Sequence, residues 1–323
     1  MNRLKKTLLS AGLAAAVLSS PQNIRNLEAR TLNVPRDYSS IQSAVNAAAG
    51  SDTVFMARGE YIGHILIKNK SLSLLSYDGP DFTYLSTDQP SGSVIAIINS
   101  KNYQIDGFTI TGHKCNGIST LNSSGLISQN SITNTVTAIS VERGNYTDIW
   151  NNRIDHNNQG INSSADSTLI EENDIGYNGS SLSDYAIKTS KNAFIKYNVL
   201  IHNKAGISAS GGYTEILNNN FDNNFGSITI NQEFDKFLAM YNLFLNDKDY
   251  AINLESISDT SSVLVKCNGF NGNSKDSNFL LPAENFYTKP NFSSPGLYYY
   301  PLEINSFYSN HNPCGGYMGA FHP

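Results

Sequence analysis

With 40% hydrophobic and 15% charged residues over 323 positions, the chain can bury a core, and it is neither disordered nor membrane-spanning in composition. A formal net charge of −5 excludes the broad basic surface on which nucleic-acid binding depends, so an acidic polysaccharide would have to be met by a local patch.

In chain order, Arg3, Lys5 and Lys6 come first, followed by an apolar run over residues 8–18 that is too short to span a bilayer. Residues 1–29 therefore read as a secretory signal peptide with cleavage between Ser19 and Ala29, and no cysteine follows that could take a lipid. The expected location is the periplasm or the exterior, with no membrane span once the signal is removed. A helix is expected over residues 37–49, where Ile41, Ala44, Val45 and Ala48 recur at helical spacing before Gly50. A strand follows at residues 52–57, a turn at residues 58–61, and strands at residues 64–67 and 71–75.

From Leu126 to Phe270 one phrase returns in every coil: an apolar residue, two variable ones, Asn, one variable, another apolar. The asparagines are Asn130, Asn152, Asn173, Asn198, Asn219, Asn242 and Asn268, spaced 22, 21, 25, 21, 23 and 26 apart. Such a period marks a solenoid, and the short alternating runs rich in Ile, Val, Phe and Thr select strands over helices. About three strands fit in each coil, each pairing in parallel with its counterpart about 4.8 Å along the axis. A further Asn stands four or five residues after the first, at Asn134, Asn157, Asn178, Asn203, Asn223, Asn246 and Asn273, so two stacked Asn columns are expected at the corners. The spacing from Asn to the next small-Ile pair stretches only at residues 178–184, a Gly- and Ser-rich insertion.

These features carry a family resemblance. The run Val34-Pro35, Asp37-Tyr38, Ile41-Gln42, Ala44-Val45, Ala48, Gly50, Asp52-Thr53-Val54, Gly59, Tyr61 resembles the N-terminal cap and first coil of secreted β-helix proteins of the pectin-lyase-like superfamily. The later coils resemble periplasmic β-helix proteins of the nitrous-oxide-reductase maturation type and carbohydrate-processing β-helices. The resemblance implies a single-stranded right-handed parallel β-helix over residues 30–275, closed by a capping tail over residues 276–323. The tail segments around Asn285 to Phe292 and Asn312 to Phe321 would cover the last rung, because an uncapped parallel edge invites chain-to-chain pairing.

Aligned on the Asn phrase, residues at one offset stack into columns. Two before Asn stand Ser128, Trp150, Glu171 and Lys196; one after stand Ser131, Arg153, Asp174 and Val199; four after stand Asn134, His156, Tyr177 and His202. The chemically rich coils thus suggest a carbohydrate-facing surface from Trp150 to His202. Arg153, Lys196, Tyr177, His202, Glu171 and Asp174 are the candidate catalytic residues, while Trp150, His156 and Lys188 are candidate substrate contacts. β-Elimination from a uronate needs a cation on the carboxylate and a base at the α-proton, and both types are present. Hydrolysis would need two carboxyls flanking the bond, for which Glu171 and Asp174 are the pair near in sequence. Charge pairing along the rungs and packing in the turns account for the same residues in a non-catalytic surface or periplasmic scaffold, an adhesin or an accessory maturation factor.

The chain departs from its resembling families at their motifs. It has neither the paired Asp-Asp with Gly-His-Gly of polygalacturonases nor the Asp-Pro-His of mannuronan epimerases. The Gly-Gly-x-Gly-x-Asp calcium repeat is missing as well, so no metal or cofactor is assigned, although Ca²⁺ remains compatible with an acidic glycan partner. Of the three cysteines, Cys267 and Cys314 can tie the tail to the last coil, or all three are small buried apolar residues.

Overall fold

The computed structural model describes residues 29–231, 234–255, 257, 259–292, 306, 308, 313–315 and 317–320. The expected signal peptide, apart from Ala29, and Tyr298, Tyr299, Tyr300, Asn312 and Phe321 lie outside the described residues. The chain winds as a parallel β-helix with three sheets of 11, 10 and 10 strands. The first sheet runs from Thr31–Val34 to Val263–Lys266, the second from Gly59–Ile62 to Gly269–Asn271, and the third from Ile65–Lys68 to Lys275–Ser277.

Local chemistry shortens the expected helix to Ile41–Ala47. Ser40 caps it, accepting from the Ser43 backbone N–H while the Ser43 hydroxyl accepts from the Ser40 N–H. Asp37 stays outside, its carboxylate taken by the Asn33 backbone and side-chain amides. Ile41, Ala44 and Val45 are buried, so the helix closes the first rung. The expected turn at residues 58–61 is instead the strand Gly59–Ile62, paired with Thr83–Ser86. Gly59 needs a φ of 150°, which explains why its glycine resembles a turn signal.

The core is three columns of apolar side chains in register. Ile127, Ile149, Ile170, Ile195 and Ile216 line the first sheet; Ile132, Ile154, Ile175, Leu200 and Phe221 the second; Ile118, Ile139, Ile161, Ile187 and Ile207 the third, all fully buried. Each such burial is worth roughly 1.5–3 kcal/mol relative to exposure. Toward the C-terminus Phe221, Phe244 and Phe270 stack at 4.8 and 5.0 Å between ring centroids.

Corners are made by amides. Asn152 Nδ2 donates to Ile127 O, Trp150 O and Asn173 Oδ1, while Asn152 Oδ1 accepts from the backbone N–H and Nδ2 of Asn130. The pattern repeats rung by rung down to Asn268 and Asn285. Each side chain satisfies the polar backbone groups that a tight turn would otherwise bury unpaired.

The second column differs in membership from expectation. It runs through Asn157, Asn178, Asn203, Asn224, Asp247 and Asn273, with Thr135 at its head. Asn134, Asn223 and Asn246 stand one residue earlier, where φ is +54°, +55° and +55°. The second column therefore sits five residues after the first, and the offset of four is a left-handed corner position that Asn tolerates well.

The tail covers the open edge at the last rung. Cys267 N–H donates to Glu284 O, Phe270 N–H to Phe286 O, and Phe286 N–H to Asn268 O. A disulfide joins Cys267 to Cys314, while Cys115 is buried and reduced. Among the described residues no helix is long and apolar enough to cross a membrane.

Candidate functional site on the second sheet

The outward column of the second sheet places Ser131, Arg153, Asp174 and Val199 side by side on successive rungs. A cleft of about 890 Å³ opens over it. Gln129, Asn151, Glu172 and Tyr197 form its long wall, each at the corner from the first sheet and each with φ between +51° and +57°. The left-handed backbone throws these side chains sideways, out of both sheets and along the rim. Pro80 and Asp81 stand at one end of the cleft, Val199 and Ala320 at the other.

Electrostatics concentrate on Asp174. Burial pushes its carboxyl up to about 6, opposed by the Arg153 cation and reinforced by the Asp155 charge. Arg153 Nε donates to Asp155 Oδ2 at 2.6 Å, and Asp155 Oδ1 lies 3.3 Å from His156 Nδ1. On the rim, Trp150 Nε1 donates to Glu172 Oε2 at 3.0 Å, which fixes that carboxylate above the floor. The arrangement offers a cation, a carboxyl that changes charge near neutrality, and a rim of amides and phenol able to hydrogen-bond sugar hydroxyls.

The candidate residues from the sequence fall on several faces. Arg153 and Asp174 meet in the cleft. Trp150, Glu171 and Lys196 form a rung-to-rung column on the outer face of the first sheet. There Lys196 Nζ pairs with Glu215 Oε2 at 3.4 Å and lies 5.4 Å from the Phe194 ring centroid. Burial raises the Glu171 carboxyl, opposed by Lys196. His156, Tyr177 and His202 stack at the corner of the second and third sheets, with centroids 5.2 and 5.0 Å apart. Asp155 joins this stack to the cleft floor through His156 and Arg153. Lys188 is exposed on the third sheet, between Asn162 and Ser208.

The surface from Trp150 to His202 is thus split by two corners, because offsets of two before and one after the Asn straddle a turn. Glu171 and Asp174 stand on different sheets, and the carboxyls that share the cleft with Asp174 are Glu172 on the rim and Asp81 at one end. The insertion at residues 178–184 lies beyond the other corner, where Asp184 accepts from Ser180 and Ser181 and folds the loop on itself.

Sequence reasoning missed the rim. Gln129, Asn151, Glu172 and Tyr197 each immediately precede a repeat Asn, and their signal was that position's free variation in charge and size. Pro80, Asp81 and Ala320 arrive from distant segments, and no local pattern marks them. Among the described residues no group of three or more His, Cys, Asp or Glu is placed to hold a metal ion.

The sequence matches the family model described as a right handed beta helix region over residues 93–238. Among solved structures, the alginate lyase from Paenibacillus sp. str. FPU-7 is similar with a TM-score of 0.52 and 15% identity, over 80% of this chain and 98% of that one. A pectin methylesterase mutant in complex with a hexasaccharide gives 0.44 at 10% identity, over 74% and 93% of the two chains. The A-module of the Azotobacter vinelandii mannuronan C-5 epimerase gives 0.42 at 14% identity, over 75% and 84%. No curated protein sequence matches the chain. The likeness to the alginate lyase concerns the fold, and the right-handed sense of the coil follows from the family model.

Proposed function

We propose that this right-handed parallel β-helix is an exported protein that binds and processes an acidic polysaccharide in the second-sheet cleft, by β-elimination. The observation that carries this reading is Asp174, a carboxyl raised to about 6 in a cleft beside Arg153. A base poised near the working pH is what proton abstraction needs.

In this reading Arg153 binds the uronate carboxylate and stabilises the negative charge that develops on it. Asp174 takes the proton on the carbon next to that carboxylate. The C–H electron pair becomes a C=C bond as the glycosidic C–O bond on the adjacent carbon breaks, and the departing oxygen takes a proton from Tyr197 or water. Export is supported by the basic-apolar start of the chain and by the Cys267–Cys314 disulfide, which suits an oxidising compartment. The similar alginate lyase acts on a glycan of the proposed class.

Glu172 and Asp174 share the cleft, which favours glycoside hydrolysis as the second reading. The test is to incubate the mature protein with polyuronates and neutral glycans, with and without Ca²⁺, following both the ultraviolet absorbance of unsaturated uronates and reducing ends. Absorbance that collapses in Asp174→Asn and falls in Arg153→Ala supports elimination. Reducing ends without absorbance transfer the reading to hydrolysis. Silence in both channels removes the enzymatic reading in favour of a binding or scaffold protein.

A further inference from the structure

Both ends of the cleft are built walls. At the N-terminal end, residues 77–82 make a longer corner than Gln129 and Asn130, which join the same two sheets lower down. Specific contacts brace this corner. Arg58 Nη2 pairs with Asp78 Oδ1 at 3.0 Å, Gly79 N–H donates to Ser76 Oγ at 3.0 Å, and the Tyr84 hydroxyl donates to Asp81 O at 2.6 Å. Thr109 Oγ1 donates to Pro80 O at 2.7 Å, and Thr109 is the register partner of Ser131. Pro80 is therefore held over the column next to the cleft floor.

At the other end the tail returns along the second sheet. Asn218 Nδ2 donates to Tyr317 O at 2.8 Å, Gly319 N–H to Tyr241 O at 2.7 Å, and Ala320 N–H to Asn220 Oδ1 at 3.2 Å. Ala320 seats on Val199 and Ile201. Gly319 has φ +84°, and a Cβ there would stand 2.2 Å from Asn220 Oδ1, so only glycine lets the tail lie this close.

Between the walls the floor is Ser131, Arg153 and Asp174, two rung steps or about 10 Å. We infer that the cleft takes short acidic oligosaccharides and chain ends, and rejects the interior of a polymer lying along the helix axis, because such a chain meets Pro80 on one side and Ala320 on the other. The inference rests on the glycan-processing reading of the same cleft and adds the length of substrate it accepts.

The experiment measures binding of oligomannuronates and oligogalacturonates of increasing length, from the disaccharide upward, by calorimetry, alongside viscosity and product size on the parent polymers. Affinity is expected to stop rising at about three units, the number that rung-spaced subsites between the walls allow. Viscosity is expected to fall slowly while small products accumulate. Gly319→Ala lifts one wall, and Thr109→Val releases the other without disturbing the tail, so either variant is expected to move the plateau to longer chains. Affinity that climbs steadily with length, a plateau that neither variant moves, or early collapse of viscosity with long products overturns the inference alone. Failure of every acidic oligosaccharide to bind overturns the glycan reading and this inference with it.

Discussion

Arg153 and Asp174 are register partners on adjacent rungs, yet the Arg153 Nε–H is given to Asp155 Oδ2, two residues away on its own strand, at 2.6 Å. The cation is thus close enough to lower the Asp174 carboxyl without cancelling the effect of burial, and the balance comes out at about 6.

The proposed activity should therefore rise as pH passes through about 6, following ionisation of Asp174. Arg153→Ala removes the group that lowers Asp174, so the acidic limb of kcat/KM moves to higher pH. Asp155→Asn removes a charge that raises it, so the limb moves to lower pH. Asp174→Asn is expected to lower kcat by about 10²–10⁴-fold, as for loss of a general base. A pH–rate series on Arg153→Ala and Asp155→Asn checks the signs, and parallel movement in the same direction would remove Asp174 from the role.

Asp247 predicts an opposite kind of pH dependence, in stability. It occupies an amide position in the second corner column, buried, with Asn224 N–H and the Ser227 hydroxyl donating to it. Burial lifts its carboxyl to about 8. The folded state holds this proton more tightly than the unfolded chain does, so the contribution is complete below the ordinary carboxylate range and is lost as pH climbs through about 8. Asp247→Asn supplies the neutral group the column uses elsewhere. Thermal melts should show the variant gaining on the parent as pH rises through that window, with little difference in acid.

The disulfide joins Cys267 and Cys314 across a sequence separation of 47. Chain-entropy arguments give such a loop about 4 kcal/mol, so Cys267→Ser should cost up to that amount in denaturant unfolding. The loss should fall on the tail and last coil, read as faster amide exchange at Phe270 and Gly319, whose N–H groups bond Phe286 O and Tyr241 O.

Asn198→Ala tests the corner amides. Asn198 Nδ2 reaches Ile170 O, Lys196 O and Asn219 Oδ1, and its Oδ1 accepts from the backbone N–H and Nδ2 of Asn173. Truncation orphans several buried groups at once, for which about 3–5 kcal/mol is expected in urea unfolding. A cost below about 1 kcal/mol would mean that water replaces the amide freely.

The fold was legible because its determinants are periodic. Ile149, Asn152 and Ile154 recur in step with Ile170, Asn173 and Ile175, and that alternation can satisfy only stacked strands. The membership of the second amide column was misread at Asn134, Asn223 and Asn246 because Asn suits both a left-handed corner and the hydrogen-bonding position beside it. The site was legible in part. Arg153 and Asp174 share an offset and so share a column, whereas Glu171 and Glu172, adjacent in sequence, part at a corner whose position by one residue decides which of them enters the cleft. The end walls come from Pro80 and Ala320, brought together only by a corner of unusual length and a returning tail.

The left-handed position before each repeat Asn holds Gln129, Asn151, Glu172, Tyr197, Asn218, Tyr241 and Cys267, with φ from +51° to +59° throughout. Residues so different can share one backbone because the amide that follows enforces the bend, leaving the preceding side chain out of the enforcement. The rim of this molecule is therefore an addressable keyboard, one key per rung at about 4.8 Å pitch, on which chemistry can be rewritten while the coil beneath it is unchanged. A single substitution at Glu172 or Tyr197 changes a side chain that lines the cleft, whereas the same substitution one residue later, at Asn173 or Asn198, removes the hydrogen bonds that hold the corner.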